Sequence, residues 1–188
     1  MIHMLSNLTS GCGTGRSTQH LANLYPEHLV IGVDRSVARL NKNYIYKQQS
    51  AKGEGNLVLV RAELADFWRC WLKSPIGRID KHFLLYPNPY PKKRRFQNRW
   101  YAHPAFPLLM QLGGDEIVVR SNWKEYLEDF ATAALLLSEL QDVSPSQLIC
   151  YDPQPISILD ASTIPWTNFE AKYFNVGETA FQLQIKRR

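Results

Sequence analysis

Apolar and polar positions alternate in two ways along the first two thirds of the chain. Short apolar runs predict buried strands over residues 3–8, 29–33, 56–60, 82–86 and 116–120, and a last strand over residues 180–186. Amphipathic stretches predict helices over residues 16–24, 36–49, 64–72, 105–112 and 123–140. Because strands and helices alternate, we expect a Rossmann-like, doubly wound α/β sheet that is mostly parallel. Neither a repeat nor a linker interrupts the pattern, so residues 1–188 are predicted to form one domain.

The composition is typical of a folded globular protein. Of the 188 residues, 45% are hydrophobic and 21% are charged, which is enough apolar material for a core. No apolar run approaches the roughly 20 residues of a membrane helix, so no membrane partner is expected. The three cysteines, Cys12, Cys70 and Cys150, are scattered, which predicts neither disulfide framework nor metal site. These features favour a cytoplasmic protein, present as a monomer or homodimer.

Three glycines, Gly11, Gly13 and Gly15, stand between the first predicted strand and the helix after it. Glycine permits a tight turn there and lets the backbone approach a ligand, while the helix N-terminus offers unpaired N–H groups. Asp34 follows the second predicted strand, where a carboxylate can accept hydrogen bonds from two ribose hydroxyls. Glu63 follows the third strand, where it can meet an adenine amino group. In this order the loop and the two acids favour an adenosyl cofactor, S-adenosyl-L-methionine, over a dinucleotide.

A proline-rich and basic segment follows the fourth predicted strand. It has the sequence Tyr86-Pro87-Asn88-Pro89-Tyr90-Pro91-Lys92-Lys93-Arg94-Arg95. This segment resembles the Phe-Pro-Asp-Pro-Trp-Pro-Lys-Lys-Arg signature of the bacterial tRNA (guanine-N7)-methyltransferase family. Residues 120–126 resemble the Thr-Asp-x-x-x-Tyr segment of that family, and residues 167–170 resemble its Thr-x-Phe-Glu motif. The resemblance runs in family order from Gly11 to Arg188.

The resemblance implies a class I methyltransferase fold with an antiparallel C-terminal strand, and methyl transfer from S-adenosyl-L-methionine to guanine N7 of tRNA or another structured RNA. It also implies a role for each motif. Asn88 and Asn122 stand at the family's catalytic positions, and Thr167 and Glu170 are expected near the cofactor and the target guanine. The net charge of +5 agrees with an anionic partner. Phosphates of the RNA are expected to contact five basic residues, Lys92, Lys93, Arg94, Arg95 and Arg99. Tyr90 and Trp100 either stack on an extruded base or pack in the core.

The sequence departs from the family pattern at three acidic positions. Asn88 and Asn122 replace aspartates, and Thr9 replaces the acid before the glycine loop. An amide forms hydrogen bonds but supplies no negative charge. Two alternatives therefore stand beside tRNA methylation. One is a non-catalytic protein that binds RNA or the cofactor, and the other is an amino-methyltransferase that uses Asn88-Pro89-Tyr90 to hold an exocyclic NH₂ group.

Overall fold

The computed structural model of the chain describes residues 5–43, 55–140, 148–156 and 165–187. These residues form one mixed sheet in the order β3-β2-β1-β4-β5-β8-β6, with β7 also paired to β8. The first five strands are parallel to one another, and β8 is antiparallel to both β5 and β6. The strands are β1 (Leu5–Ser10), β2 (Leu29–Asp34), β3 (Leu57–Arg61), β4 (Arg78–Leu85), β5 (Glu116–Ser121), β6 (Leu148–Cys150), β7 (Gln154–Pro155) and β8 (Phe181–Arg187).

Helices join the parallel strands and cover the sheet. They are α1 (Arg16–Leu24), α2 (Val37–Leu40), α3 (Leu64–Lys73), α4 (Phe106–Leu112), α5 (Lys124–Leu140) and α6 (Asn168–Asn175). Short 3-10 helices occupy Asn41–Asn43, Lys93–Asn98 and Trp100–Ala102. The predicted mostly parallel α/β sheet with an antiparallel last strand is confirmed. Among the described helices, none is both long and apolar enough to cross a bilayer.

Several predicted boundaries differ from the structure. The apolar pattern predicts the first strand over residues 3–8, but β1 extends to Ser10, and residues 3 and 4 lie outside the described part. The helix predicted over residues 36–49 is described only to Asn43, as α2 and a 3-10 turn, and residues 44–49 lie outside. β4 begins at Arg78, four residues before the predicted start. The pattern also missed β6, β7 and α6.

Both faces of the sheet are buried, because successive side chains of a strand point in opposite directions. On one face, Leu21 of α1 joins Val30 and Phe83 in a buried cluster. On the other, Trp68 of α3 and Phe130 of α5 belong to a larger cluster. The two-sided cover agrees with the apolar runs of the parallel strands, and it leaves the strand ends as the place for a ligand.

The carboxyl ends of β1, β2, β4 and β5 meet at one edge of the sheet because these strands are parallel. Each strand therefore delivers the segment that follows it to the same place. These segments are the glycine loop after β1, Asp34 at the end of β2, the proline-rich segment after β4 and Asn122 after β5.

Candidate active site

The glycine loop joins β1 to α1 in a backbone conformation that glycine adopts at low cost. Gly11, Gly13 and Gly15 have φ values of 74°, 60° and 78°, all in the left-handed region. The backbone N–H groups of Gly11 and Cys12 donate to the carbonyl of Val33 at 2.8 and 3.0 Å. A Cβ on Gly11 or Gly13 would meet no atom within 4 Å. The loop is thus fixed to β2 while open space remains beside its backbone.

Asp34 holds this loop from the end of β2. Its Oδ2 accepts hydrogen bonds from the backbone N–H of Gly13 at 2.9 Å and from the Arg39 guanidinium at 3.2 Å. Its Oδ1 accepts from the backbone N–H of Ser36 at 2.8 Å. The carboxylate predicted to accept from ribose hydroxyls therefore also orders the turn around it. Contact with a ribose stays a prediction.

Two clefts open at this edge and share Gly11 and Arg39 in their walls. The first cleft has a volume of about 580 Å³ and the second one of about 420 Å³. The first cleft is lined by the glycine loop and by residues 85–89, 121–122, 167–169 and 173. The second cleft is lined by Asp34, Arg35, Glu63, Tyr90, Trp100 and neighbouring residues.

Both asparagines that replace family aspartates lie in the first cleft. Asn88 is exposed, and its Oδ1 accepts a hydrogen bond from the backbone N–H of Tyr90 at 3.1 Å. Tyr86 and Tyr90 have φ values of 55° and 42°, so the segment after β4 carries two non-glycine residues in the left-handed region. Asn122 is half-buried and donates through Nδ2 to Glu178 at 3.3 Å.

Glu63 lies in the second cleft, and its contact with an adenine amino group stays a prediction. It precedes the first residue of α3 and is largely exposed. Its carboxylate lies 3.7 Å from the guanidinium of Arg35, which is also exposed. The second cleft thus collects Asp34 and Glu63, and the first cleft collects Asn88 and Asn122.

The basic segment does not line either cleft. Lys92, Lys93, Arg94 and Arg95 are all exposed, and among the described residues none of them forms an ion pair. Residues 93–98 form a 3-10 helix directly after the proline-rich segment. Four cations are therefore presented to solvent next to the mouth of the clefts.

Arg99, also predicted to contact phosphate, forms contacts within the protein. Its side chain is 14% exposed. The guanidinium donates to the carbonyl of Tyr90 at 3.2 and 3.3 Å and to the Tyr101 hydroxyl at 2.7 Å, and it lies 3.8 Å from Asp129. These contacts fix the loop that carries Tyr90, and contact of Arg99 with a phosphate stays a prediction.

Tyr90 and Trp100 lie in the wall of the second cleft, and the backbone N–H of Tyr90 also donates to Asn88, which lines the first cleft. The Trp100 ring packs against Trp68, with ring centroids 4.9 Å apart, and against His103 at 5.2 Å. For Trp100, core packing is the better of the two interpretations that the sequence left open.

Thr167 and Glu170 start α6 with a capping arrangement. The Thr167 hydroxyl accepts from the backbone N–H of Glu170 at 3.0 Å, as Ser and Thr do at helix N-caps. The Glu170 carboxylate is 1% exposed; it accepts from Arg120 at 2.8 Å and from the backbone N–H of Trp166 at 2.6 Å. Thr167 lines the first cleft, whereas Glu170 lies beneath it, so direct contact of Glu170 with a substrate stays a prediction.

Arg120 and Trp166 form a buried support that no pattern in the sequence indicates. The guanidinium of Arg120 lies over the Trp166 ring, 3.4 Å from its centroid. It also donates to Gln182 on β8 at 2.8 Å. Arg120 therefore ties together β5, α6 and β8, which are close in space but distant in sequence. Arg16 was also missed: it lines the first cleft and donates to Asn168 at 2.8 Å.

Two titratable side chains near the first cleft are kept neutral. Burial, followed by the charge of Asp34, raises the pKa of the Cys12 thiol to about 12, so it stays protonated at neutral pH. Burial, followed by the positive charge of Arg120, lowers the pKa of His20. The thiol of Cys12 is therefore unsuited to act as a nucleophile.

Comparison with known proteins relates the chain to methyltransferases. A family model described as "Putative methyltransferase" matches residues 6–183. The tRNA (guanine-N(7)-)-methyltransferase of Leifsonia xyli subsp. xyli is 23% identical over 178 residues, which cover 94% of this chain and 73% of that protein. The similarity that the motifs indicated is thus confirmed at low identity and over most of the chain.

Solved structures share the fold. An antibiotic-related methyltransferase superimposes with a TM-score of 0.60 at 18% identity, covering 97% of this chain and 86% of that one. A variant 16S rRNA (adenine(1408)-N(1))-methyltransferase of Catenulisporales acidiphilia, with its cosubstrate SAM, superimposes with a TM-score of 0.54 at 15% identity. The match covers 98% of this chain and 84% of that one. The predicted class I methyltransferase fold is confirmed. The predicted cofactor, S-adenosyl-L-methionine, and the predicted enzyme class are confirmed with the family match.

Proposed function

The chain belongs to the methyltransferase family whose model it matches, and we propose that it methylates N7 of a guanosine in tRNA. The first cleft is the observation that carries this proposal. It brings Asn88 and Asn122 together with the glycine loop, and the exposed basic segment follows Asn88 by only a few residues. The name of the Leifsonia relative supports the same substrate and the same atom.

The residues at the strand ends fit the cofactor. Gly11 and Gly13 form a cradle that a Cβ would partly fill, and Asp34 and Glu63 stand in the adjoining second cleft. The glycine loop would hold the amino-acid part, Asp34 the ribose and Glu63 the adenine. When bound, S-adenosyl-L-methionine supplies an electrophilic methyl group on a sulfonium.

Methylation at N7 requires little from the protein except the positioning of the reactants. N7 of guanine carries a lone pair and no proton, so a general base is not required. The rate then depends on holding the ring against the methyl group and on stabilising the positive charge that forms on it. Asn88 and Asn122 can orient the ring by hydrogen bonds, and the basic segment can hold the RNA backbone at low sequence specificity.

The orientation of Asn88 bears on the alternative of amino methylation. An amino-methyltransferase would use the Asn88 Oδ1 to accept from the exocyclic NH₂ group of its substrate. Here that oxygen accepts one hydrogen bond, from the backbone N–H of Tyr90, whereas the amide N–H groups have no partner among the described residues. Guanine presents O6, an acceptor, beside N7. A donating Asn88 therefore suits methylation at guanine N7 better than methylation of an amino group.

The test is methyl transfer to bulk tRNA that lacks modifications, followed by nucleoside analysis of the product. We expect 7-methylguanosine from the wild-type protein, because the glycine loop and both asparagines line the first cleft, which adjoins the cleft of Asp34 and Glu63. Methylation of an exocyclic amino group instead would contradict the N7 assignment.

Aspartate variants separate a slow enzyme from a non-catalytic protein. We expect Asn88→Asp and Asn122→Asp to raise the rate, because each restores a negative charge beside the ring that becomes cationic. Asn175→Asp is the matched control, since Asn175 is exposed at the end of α6 and lines neither cleft. Wild-type protein that binds the cofactor and tRNA without turnover, with activity only in the Asn88 and Asn122 variants, would support the non-catalytic alternative.

A further inference from the structure

An exposed aromatic side chain stands in the first cleft beside the two asparagines. Phe169 of α6 is 55% exposed and lines the cleft together with Tyr86 and Tyr173. The Phe169 and Tyr86 rings are stacked, with centroids 6.2 Å apart and an angle of 24° between their planes. The Tyr173 ring lies 5.6 Å from that of Tyr86. The cluster therefore presents an aromatic surface to the place where we expect the target base.

The backbone that carries Phe169 is fixed on both sides. Thr167 caps the helix, and the next residue, Glu170, is bonded to the buried Arg120. On the preceding residue, the Asn168 side chain accepts from Arg16 of α1. A single exposed apolar side chain is ordinary on a protein surface, but the neighbours of this one are fixed by hydrogen bonds at the wall of the first cleft. A rigid, exposed aromatic is suited to contact a ligand with little loss of entropy.

Charge provides the second part of the argument. Methylation at N7 leaves a fixed positive charge on the guanine ring, and neither Asn88 nor Asn122 supplies a carboxylate to meet it. The face of an aromatic ring carries partial negative charge and attracts cations, most strongly where water is excluded. The Glu178 carboxylate contacts Asn122 but does not line the first cleft, whereas the aromatic surface does line it and can stabilise a cationic ring directly.

We propose that Phe169, supported by Tyr86, is the surface on which the target guanine stacks, and that it binds the ring more tightly as the ring becomes cationic. This inference rests on the proposed guanine-N7 activity. It assigns base stacking to Phe169 in the first cleft, and not to Tyr90 and Trp100 in the second. Phe169 therefore acts as a binding and positioning residue that discriminates between the neutral and the cationic ring.

The test compares binding of guanosine monophosphate and 7-methylguanosine monophosphate, in the presence of saturating S-adenosylhomocysteine. We expect the wild-type protein to bind the methylated nucleotide about five-fold more tightly or better, the scale of a partly desolvated cation–π contact. Phe169→Leu keeps an apolar side chain but removes the ring, and it should bring the ratio of the two affinities close to one. Phe169→Trp should retain the preference.

Controls distinguish stacking from a general disturbance of the fold. Phe96→Leu changes a phenylalanine of similar exposure, 49%, that lines neither cleft, and it should leave the ratio unchanged. The affinity for S-adenosylhomocysteine and the melting temperature should stay the same in the Phe169→Leu protein. Equal or undetectable binding of the two nucleotides by wild-type protein would overturn the proposal, as would a ratio that survives Phe169→Leu. If the wild-type protein prefers the methylated nucleotide but does not methylate tRNA, the proposed function is wrong and the stacking proposal is still supported.

Discussion

Glu170 illustrates how one side chain can match a motif and also serve the fold. The resemblance assigns this acid to the region of the cofactor and target base, and the structure gives both of its oxygens to Arg120 and to the Trp166 backbone. A buried guanidinium is costly without a partner, so the pair needs Glu170 whatever binds above it. Loss of activity on mutation of Glu170 would therefore not by itself indicate contact with substrate.

His82 makes a prediction about pH. This residue of β4 is fully buried, and its Nε2 forms a hydrogen bond with the Ser10 hydroxyl at 2.7 Å. Burial lowers the pKa of His82 to about 3 in the folded protein. The imidazole thus stays neutral when folded but takes up a proton when unfolded, below a pKa of about 6.5. Its stabilising contribution is therefore complete above about pH 6.5 and decreases as the pH falls towards 3.

The measurement is urea unfolding of wild-type and His82→Gln protein at several pH values. We expect the free energy of unfolding of the wild type to fall by up to about 1.4 kcal/mol per pH unit on this account, and the variant to lose that part of the slope. His103→Gln changes a partly exposed histidine and serves as the control. The same pH slope in wild-type and His82→Gln protein would show that His82 is not the group responsible.

At the scale of elements, the glycine loop permits a matched pair of variants. Gly13 in the loop and Gly177 after α6 both have positive φ values, of 60° and 71°, and a Cβ on either would meet no atom within 4 Å. Alanine at each position should cost about 1–2 kcal/mol of stability from backbone strain alone. We expect only Gly13→Ala to weaken binding of S-adenosylhomocysteine as well, measured by calorimetry. Equal affinity of both variants for S-adenosylhomocysteine would show that Gly13 is not part of the cofactor site.

Elements with a clear pattern of apolar residues were predicted more accurately than elements without one. The buried parallel strands were found because both faces are covered, which gives continuous apolar runs such as β2. The start of β4 was missed because its first residues are polar: Arg78 pairs with Asp115, and Lys81 pairs with Glu116 on β5. Ion pairs between neighbouring segments satisfy these residues, and no local pattern reveals such partners.

The candidate site was predictable to a similar degree. The order of the strands brings Asp34, Glu63, Asn88 and Asn122 to one edge, and alternation along the sequence is sufficient to predict that edge. The structural role of Arg99 was not predictable, because a basic residue beside four others resembles a phosphate contact. Only its burial and its bonds to Tyr90 and Tyr101 distinguish it.

For the whole molecule, charge leads to a prediction about RNA binding. The net charge is +5, and the exposed group of Lys92, Lys93, Arg94 and Arg95 lies beside the clefts. Replacing Lys93 and Arg94 by glutamine should weaken tRNA binding and reduce the slope of log K against log salt by nearly one for each phosphate that is no longer neutralised. Glutamine at Arg69 and Lys73 of α3 removes the same charge elsewhere and should alter affinity much less. Unchanged binding in the Lys93 and Arg94 variant would exclude the basic segment from the RNA surface.

The position of β8 has a consequence for synthesis of the protein. This strand lies between β5 and β6, and it is the partner of β7 as well. A nascent chain that has left the ribosome only as far as α5 therefore carries β5 with an open edge, which can pair with other chains. Gln182, which holds Arg120 in place, arrives with the same strand. We expect the candidate site to become complete only after β8 has left the ribosome and the sheet has closed, and chaperones to be most useful before that point.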